Sequence, residues 1–277
     1  MSGGVRCGIC PHGCVLEEGR AGFCRARRNR DGVIRDDNYG LVTSLALDPI
    51  EKKPLRRFFP GSKILSVGSY GCNLRCAFCQ NYEISMASGG QADAAYVSPE
   101  ALVRKAAELR PAGNIGLAFT YNEPLVGYEY VYDCAKLSKE RGLKTVLVTN
   151  GYVNGEPLRA LLPLIDAMNI DLKAFTEDFY RKIAGDLETV KRTIEQSAKA
   201  CHVEVTTLIV PDENDAPEEM RGLSRWLSSL DRRIPLHVTR FFPRYRMTDR
   251  GATSVETICA LSEIARESLI HVYEGNC

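Results

Sequence analysis

From residue 62 onward the chain alternates between two hydrophobic patterns. Short apolar runs rich in Val, Ile and Leu occupy residues 62–69, 114–120, 144–149, 168–172, 203–209, 235–240 and 270–273. Their length and β-branched content predict buried strands. Between them lie stretches that predict helices over residues 99–109, 125–141, 156–162, 177–183, 187–199, 216–227 and 253–266. The boundaries carry their own signals. Ser98 stands as an N-cap with Pro99 at the first helical position, and Gly142 follows Glu140-Arg141 as a helix stop. Repeated β-α units of about thirty residues build a parallel sheet with right-handed crossovers. Six or seven such units predict an α/β fold, a partial (β/α)6-type TIM barrel.

The first 60 residues have a different texture. Residues 25–60 read as a basic connector with short strands around 33–35 and 39–47. The run Asp48-Pro49-Ile50-Glu51-Lys52-Lys53-Pro54-Leu55 holds two prolines and is expected to be extended. A turn at Phe58-Phe59-Pro60-Gly61 closes it, so the domain boundary is placed near Pro60: residues 1–60 as a small N-terminal unit, residues 61–277 as the barrel. The chain of 277 residues is 44% hydrophobic, enough for such a core, and its net charge of +1 announces no polyanionic partner. Charge is uneven, with 11 Lys/Arg against 7 Asp/Glu in residues 1–60, a difference of +4. A solvated basic face accounts for that excess, and no RNA-binding motif accompanies it. The start Met-Ser-Gly-Gly carries no apolar leader and no run is long enough to span a membrane, so a cytoplasmic location is expected.

Cysteine usage changes the picture. Of eleven cysteines, seven fall into two tight clusters, which in a reducing compartment points to metal rather than disulfides. Cys7, Cys10, Cys14 and Cys24 form the first, with Gly and Pro between them permitting tight turns. Four thiolates close a zinc site, which is the expectation; a second iron–sulfur cluster is the alternative. His12 reads as a bystander. The second group is Cys72, Cys76 and Cys79, in a Cys-x3-Cys-x2-Cys run directly after a predicted strand. A [4Fe–4S] cube takes one thiolate per iron, so three thiolates leave one iron open for catalysis. This spacing matches the signature of radical S-adenosylmethionine (SAM) enzymes, in which the open iron binds the amino and carboxylate groups of SAM.

In a β/α barrel the chemistry sits at the C-terminal strand ends. Those ends supply Asn122 and Glu123, then Asn150, then Asp171 and Lys173, then Thr207, then His237 and Arg240. Glu123 suits the SAM ammonium and Lys173 its carboxylate. Asn150 and Asp171 suit the ribose or the methionyl group. Phe78, inside the cysteine run, offers either an adenine stacking surface or core packing.

The longer motifs carry a closer resemblance. Cys10-Pro11-His12-Gly13-Cys14, the residue 48–55 motif, Gly71-Cys72-Asn73-Leu74, Phe78-Cys79-Gln80-Asn81, Tyr121-Asn122-Glu123-Pro124 and Arg240-Phe241-Phe242-Pro243 together resemble the radical SAM enzyme of the AmmeMemoRadiSam system. That branch is similar to pyruvate formate-lyase activating enzymes. The resemblance implies an oxidoreductase that cleaves SAM reductively to a 5′-deoxyadenosyl radical, with an electron donor such as flavodoxin or ferredoxin. It leaves the target open: a glycine in a partner protein, as in glycyl radical activation, a small molecule or RNA. Arg244, Tyr245 and Arg246 join His237 and Arg240 as candidates to face that target. A non-catalytic iron–sulfur sensor is the alternative from another class. Two features depart from the activating enzymes. Residues 80–120 hold no further cysteine pair, and the chain stops at Cys277, where this branch often continues into a cysteine-bearing tail. Cys134, Cys201 and Cys259 read as buried core cysteines.

Overall fold

A computed structural model describes residues 4–277; the three residues before them, part of the expected N-terminal unit, lie outside the described residues. The N-terminal segment forms two antiparallel pairs, β1 (Val5–Arg6) with β2 (Val15–Leu16) and β3 (Arg27–Arg30) with β4 (Val33–Asp36). β5 (Leu41–Val42), β6 (Ser44–Pro49) and β7 (Lys63–Gly68) follow. After α1 (Tyr82–Ser85), β8 (Ala95–Tyr96) returns to pair with β5. Then come α2 (Pro99–Glu108), β9 (Asn114–Phe119), α3 (Tyr128–Glu140), β10 (Lys144–Thr149), α4 (Gly155–Leu161) and β11 (Ala167–Asp171). The chain ends with α5 (Glu177–Lys182), α6 (Leu187–Ala198), β12 (His202–Ile209), α7 (Pro217–Leu230), β13 (Leu236–Arg240), α8 (Val255–Arg266) and β14 (Val272–Gly275).

Eight strands make one sheet in the order β14-β13-β12-β11-β10-β9-β7-β6. All neighbours run parallel except β6 on β7. β14 and β6 are its two edges, so the barrel is partial, as the β-α repeat predicted. The antiparallel edge comes from within the connector: Ser44 pairs with Gly68 and Pro49 with Lys63. Residues 44–49, on the N-terminal side of Pro60, therefore belong to the barrel's sheet. No helix among the described residues is long and apolar enough to cross a membrane.

Strand alternation divides the core in two. Leu65 and Val67 of β7 face outward to Leu102, Val103 and Ala106 of α2, inside the main core. Ile64, with the opposite parity, faces into the barrel and packs with Ile50, Leu55, Phe58, Ala118, Val146 and Ala167. This inner plug departs from the expected extended run. Pro49, with φ of −55°, starts a single 3-10 turn over Ile50–Lys52, closed by the Lys53 N–H donating to Ile50 O at 2.9 Å. Proline's fixed φ serves a turn start as readily as an extended segment, and Ile50 and Leu55 supply the apolar contact that decides it.

Glu204 locks the plug in place. Its fully buried carboxylate accepts the backbone N–H groups of Arg56 and Arg57 at 3.0 and 2.7 Å and the imidazole N–H groups of His202 and His237 at 2.9 and 2.6 Å. Burial opposes its ionisation, but these donors win and bring its pKa down to about 2. Two smaller departures concern helices. The expected 125–141 helix opens with a 3-10 turn, Pro124–Gly127, because the chain bends at Gly127 where a Cβ would meet Asn38 Oδ1 at 2.9 Å. Of the cysteines expected in the core, Cys134 is buried, Cys201 half-buried and Cys259 exposed on α8.

Candidate active site

The cysteine loop leaves the C-terminal end of β7. Gly71 sits at φ +90°, and a Cβ there would lie 2.7 Å from Ala26 Cβ and 2.8 Å from Cys24 O, so only glycine fits. Cys76 is buried and Cys72 and Cys79 are half-buried, with the Cys79 N–H donating to Cys76 O at 3.2 Å. Burial, reinforced by Glu123, raises the Cys72 pKa. Burial pushes Cys76 up to about 12 against the attraction of Lys173. Among the described residues, no three His, Cys, Asp or Glu side chains converge on one metal-ion position.

The next strand ends close around this loop. Tyr121 adopts φ +74°, a left-handed conformation uncommon outside glycine. Asn122 ties the arm to the loop: its Oδ1 accepts the Ser69 N–H at 3.0 Å and its Nδ2 donates to Gly71 O at 3.1 Å. Glu123 is 2% exposed. Its Oε1 accepts from the Leu125 N–H at 3.0 Å and Thr149 Oγ1 at 2.7 Å, and its Oε2 from the Asn150 N–H at 2.8 Å. Burial outweighs these donors and Asp171 adds repulsion, so its pKa rises to about 7. Asn150 Nδ2 donates to Asn73 Oδ1 at 2.9 Å and approaches Cys72 Sγ at 3.7 Å. Lys173 pairs with Asp171 at 2.6 Å. Burial works against the Lys173 charge, but Asp171 and Cys76 outweigh it and hold its pKa above the ordinary lysine value.

Cys72, Cys76, Cys79, Asn122, Glu123, Asn150, Asp171 and Lys173 therefore share one neighbourhood. Four other candidates point elsewhere. Phe78 is buried in the main core, its ring 6.0 Å from Phe179. Thr207 shares the parity of Val203 and Val205, which pack in the outer core; it is Thr206 that turns inward, donating to Asn169 Oδ1 at 3.0 Å. Arg240 shares the outward parity of Leu236 and Val238, and its guanidinium donates to Thr253 O at 2.8 Å and Asn276 O at 3.3 Å. His237 faces inward, but as the second residue of β13 it sits in the N-terminal half of the barrel, bound to Glu204. One residue of phase in a strand moves a side chain to the other face. Sequence reasoning in turn missed Asp48, Lys53 and Asn73, although the proline-bounded 48–55 motif marked the first two. The Arg244–Arg246 segment does approach the loop, with the Arg246 N–H donating to Ala77 O at 2.9 Å and the Tyr245 ring stacked 4.6 Å from Tyr82.

The N-terminal cysteines lie against the same loops. The Cys7 N–H donates to Cys14 O at 2.8 Å, and Cys14 Sγ accepts the Phe23 N–H at 3.5 Å. Burial pushes Cys10 up to about 11 and raises Cys24, and both feel the Cys7 thiol. His12 Nε2 donates to Asn73 O at 2.8 Å, and Arg75 stacks 3.7 Å from the Phe23 ring centroid. Asn154 donates through its N–H to Ile9 O at 2.9 Å and through Nδ2 to Gly8 O at 2.7 Å. The segment thus braces both the cysteine loop and the loop after β10. A cavity of about 490 Å³, lined by Lys199, Cys201, His202, Arg233 and His271 among others, lies at the opposite end of the strands.

The sequence profile of the Radical SAM superfamily matches residues 66–224, from β7 into α7. The chain belongs to the radical SAM superfamily. Membership makes it an enzyme and implies a [4Fe–4S] cluster and SAM. The chemistry of the donor set fits that pair: three free thiols on one loop, beside a buried carboxylate and a lysine paired with Asp171. The chain is 42% identical over 276 residues to an uncharacterized protein of Methanocaldococcus jannaschii, covering 98% of this chain and 81% of that one. It is 29% identical over 168 residues to the pyruvate formate-lyase-activating enzyme of Clostridium pasteurianum, covering 58% of this chain and 67% of that one. Among solved structures, SuiB of Streptococcus suis shares the fold with a TM-score of 0.60 at 12% identity, over 76% of this chain and 48% of SuiB. This radical SAM chain thus spans about half the length of SuiB.

Proposed function

We propose that Cys72, Cys76 and Cys79 hold a [4Fe–4S] cluster whose remaining iron takes SAM, and that the enzyme uses the pair to abstract hydrogen from a second substrate. The observation that carries this reading is Glu123. Its carboxylate is buried, its pKa is raised to about 7, and none of its hydrogen-bond partners is a cation. An ammonium group supplies the charge that such a site favours. Lys173, which feels Cys76 and Cys79 and pairs with Asp171 at 2.6 Å, is the cation assigned to the carboxylate of the same ligand. Asn150 bridges the two halves, one amide proton toward Cys72 Sγ and its backbone N–H on Glu123. When bound, the cluster and SAM supply one-electron reductive cleavage of the sulfonium and the hydrogen abstraction that follows. The chain's part is to orient the amino acid end of SAM, to offer Glu123 as the carboxylate that the SAM ammonium holds ionised, and to exclude water from the cysteine loop.

The similarity to activating enzymes supports a glycine in a partner polypeptide as the target and a flavodoxin- or ferredoxin-type protein as the electron source. Cys7, Cys10, Cys14 and Cys24 form a second proposed metal site, in the N-terminal unit that braces the loop. Anaerobic reconstitution tests both assignments. The reduced protein is expected to show an EPR signal that shifts on adding SAM, retained in Cys7→Ala and lost in Cys76→Ala. About four irons with one zinc assigns the N-terminal site to zinc, and about eight irons to a second cluster. An EPR signal insensitive to SAM, or full iron content in Cys76→Ala, overturns the proposed site.

A further inference from the structure

The Asp48-to-Leu55 motif does more than plug the barrel. Asp48 is 9% exposed, and its Oδ2 accepts from Lys53 Nζ at 2.9 Å, Ser66 Oγ at 2.9 Å and the Tyr121 hydroxyl at 2.9 Å. Its Oδ1 faces Lys52 Nζ at 3.4 Å. Lys53 is 2% exposed and its ammonium also lies 4.7 Å from the centre of the Tyr121 ring. The Tyr121 ring lies over Gly68, where a Cβ would approach Tyr121 Cδ2 to 2.8 Å. Tyr121 thus runs from the barrel mouth across a side-chain-free stretch of β7 down to Asp48.

Its backbone explains why such an anchor is needed. Tyr121 holds φ +74° immediately before Asn122 and Glu123. A bulky side chain in the left-handed region persists only when its surroundings hold it there. Above the residue, Tyr121 O accepts from Asn81 Nδ2 at 2.8 Å, and Asn81 lies two residues beyond Cys79. The conformation is therefore gripped at both ends, by the cysteine loop at the mouth and by Asp48 below.

We propose that Asp48, neutralised by Lys53, is a positioning residue for SAM: by holding the Tyr121 hydroxyl it keeps Tyr121 left-handed and so aims the Asn122-Glu123 arm at the cysteine loop. This rests on the reading that Glu123 receives the SAM ammonium. Asp48 itself touches neither SAM nor the cluster; it acts through Tyr121.

The test measures SAM affinity of the iron–sulfur-loaded protein by titrating the EPR shift, with iron content and Tm recorded for each variant. Asp48→Asn and Tyr121→Phe are each expected to weaken SAM about tenfold with iron content unchanged, and the double variant to be no weaker than either. Gly68→Ala, which displaces the ring without touching Asp48, is expected to give the same loss. Tyr121→Gly supplies the discriminating background, because glycine adopts this φ without an anchor. There Asp48→Asn is expected to have no effect on SAM affinity, whereas a role confined to stability lowers Tm and leaves affinity alone in both backgrounds. Wild-type affinity in Asp48→Asn, or an equal loss in the Tyr121→Gly background, overturns the proposal. Glu123→Gln run alongside separates the failures: if it leaves SAM affinity unchanged, the reading of Glu123 falls, and if it weakens SAM while Asp48→Asn does not, only the positioning role of Asp48 falls.

Discussion

Glu123 and Glu204 are both buried carboxylates, and their surroundings push them in opposite directions. Glu123 has only neutral donors, so burial wins and its pKa rises to about 7. The folded chain then keeps a proton that the unfolded chain releases between pH 4.5 and about 7. Stability of the protein without SAM is expected to fall as pH rises through that window, while SAM affinity, which needs the ionised carboxylate, is expected to rise. Denaturation midpoints and SAM titrations at pH 5.5 to 8 check the two opposite slopes. Glu204 has four donors and a pKa lowered to about 2, so its contribution is full above pH 4.5 and lost as pH falls toward 2. Glu204→Gln is expected to destabilise the chain by about 3 kcal/mol, read by urea denaturation at pH 7, because His237 and the plug lose a buried charged partner. Sequence marked Glu123 at a strand end and did not single out Glu204. It did not show which donors surround them, since Arg56 and Arg57 come from a segment about 150 residues earlier in the chain.

At the scale of elements, the parallel strands and their helices were legible because short continuous apolar runs and helical patterns separate cleanly after residue 62. The faces of the strand ends were less so. Nearness to strand ends predicts Thr207 and Arg240 at the mouth, yet each falls on the outward parity set by Val203, Val205, Leu236 and Val238. Residues 39–47 read as strand in the sequence, and the structure has β5 and β6 there; that β6 joins the barrel sheet as its antiparallel edge was not legible, because an edge strand's place is fixed by its partner β7 rather than by its own pattern. The loop at Gly71 shows what such tertiary contacts require. Gly71→Ala is expected to cost roughly 1–3 kcal/mol through its positive φ and the clash with Ala26 and Cys24, and to lower iron retention at the loop. Thermal denaturation and iron analysis after desalting check it.

Across the whole molecule, two cysteine-bearing segments far apart in sequence meet at one end of a partial barrel. The N-terminal segment reaches the cysteine loop through His12, Phe23 and Ala26, and the loop after β10 through Gly8 and Ile9. Below them, the plug and Asp48 support the Tyr121–Glu123 arm from inside the barrel. These layers converge on one chemical claim, that Cys72, Cys76 and Cys79 hold the cluster that delivers an electron to SAM. The most direct test is the 5′-deoxyadenosine formed when anaerobically reconstituted protein is given SAM and dithionite. The wild-type chain is expected to form it and Cys76→Ala to form none; equal amounts from both proteins contradict the account.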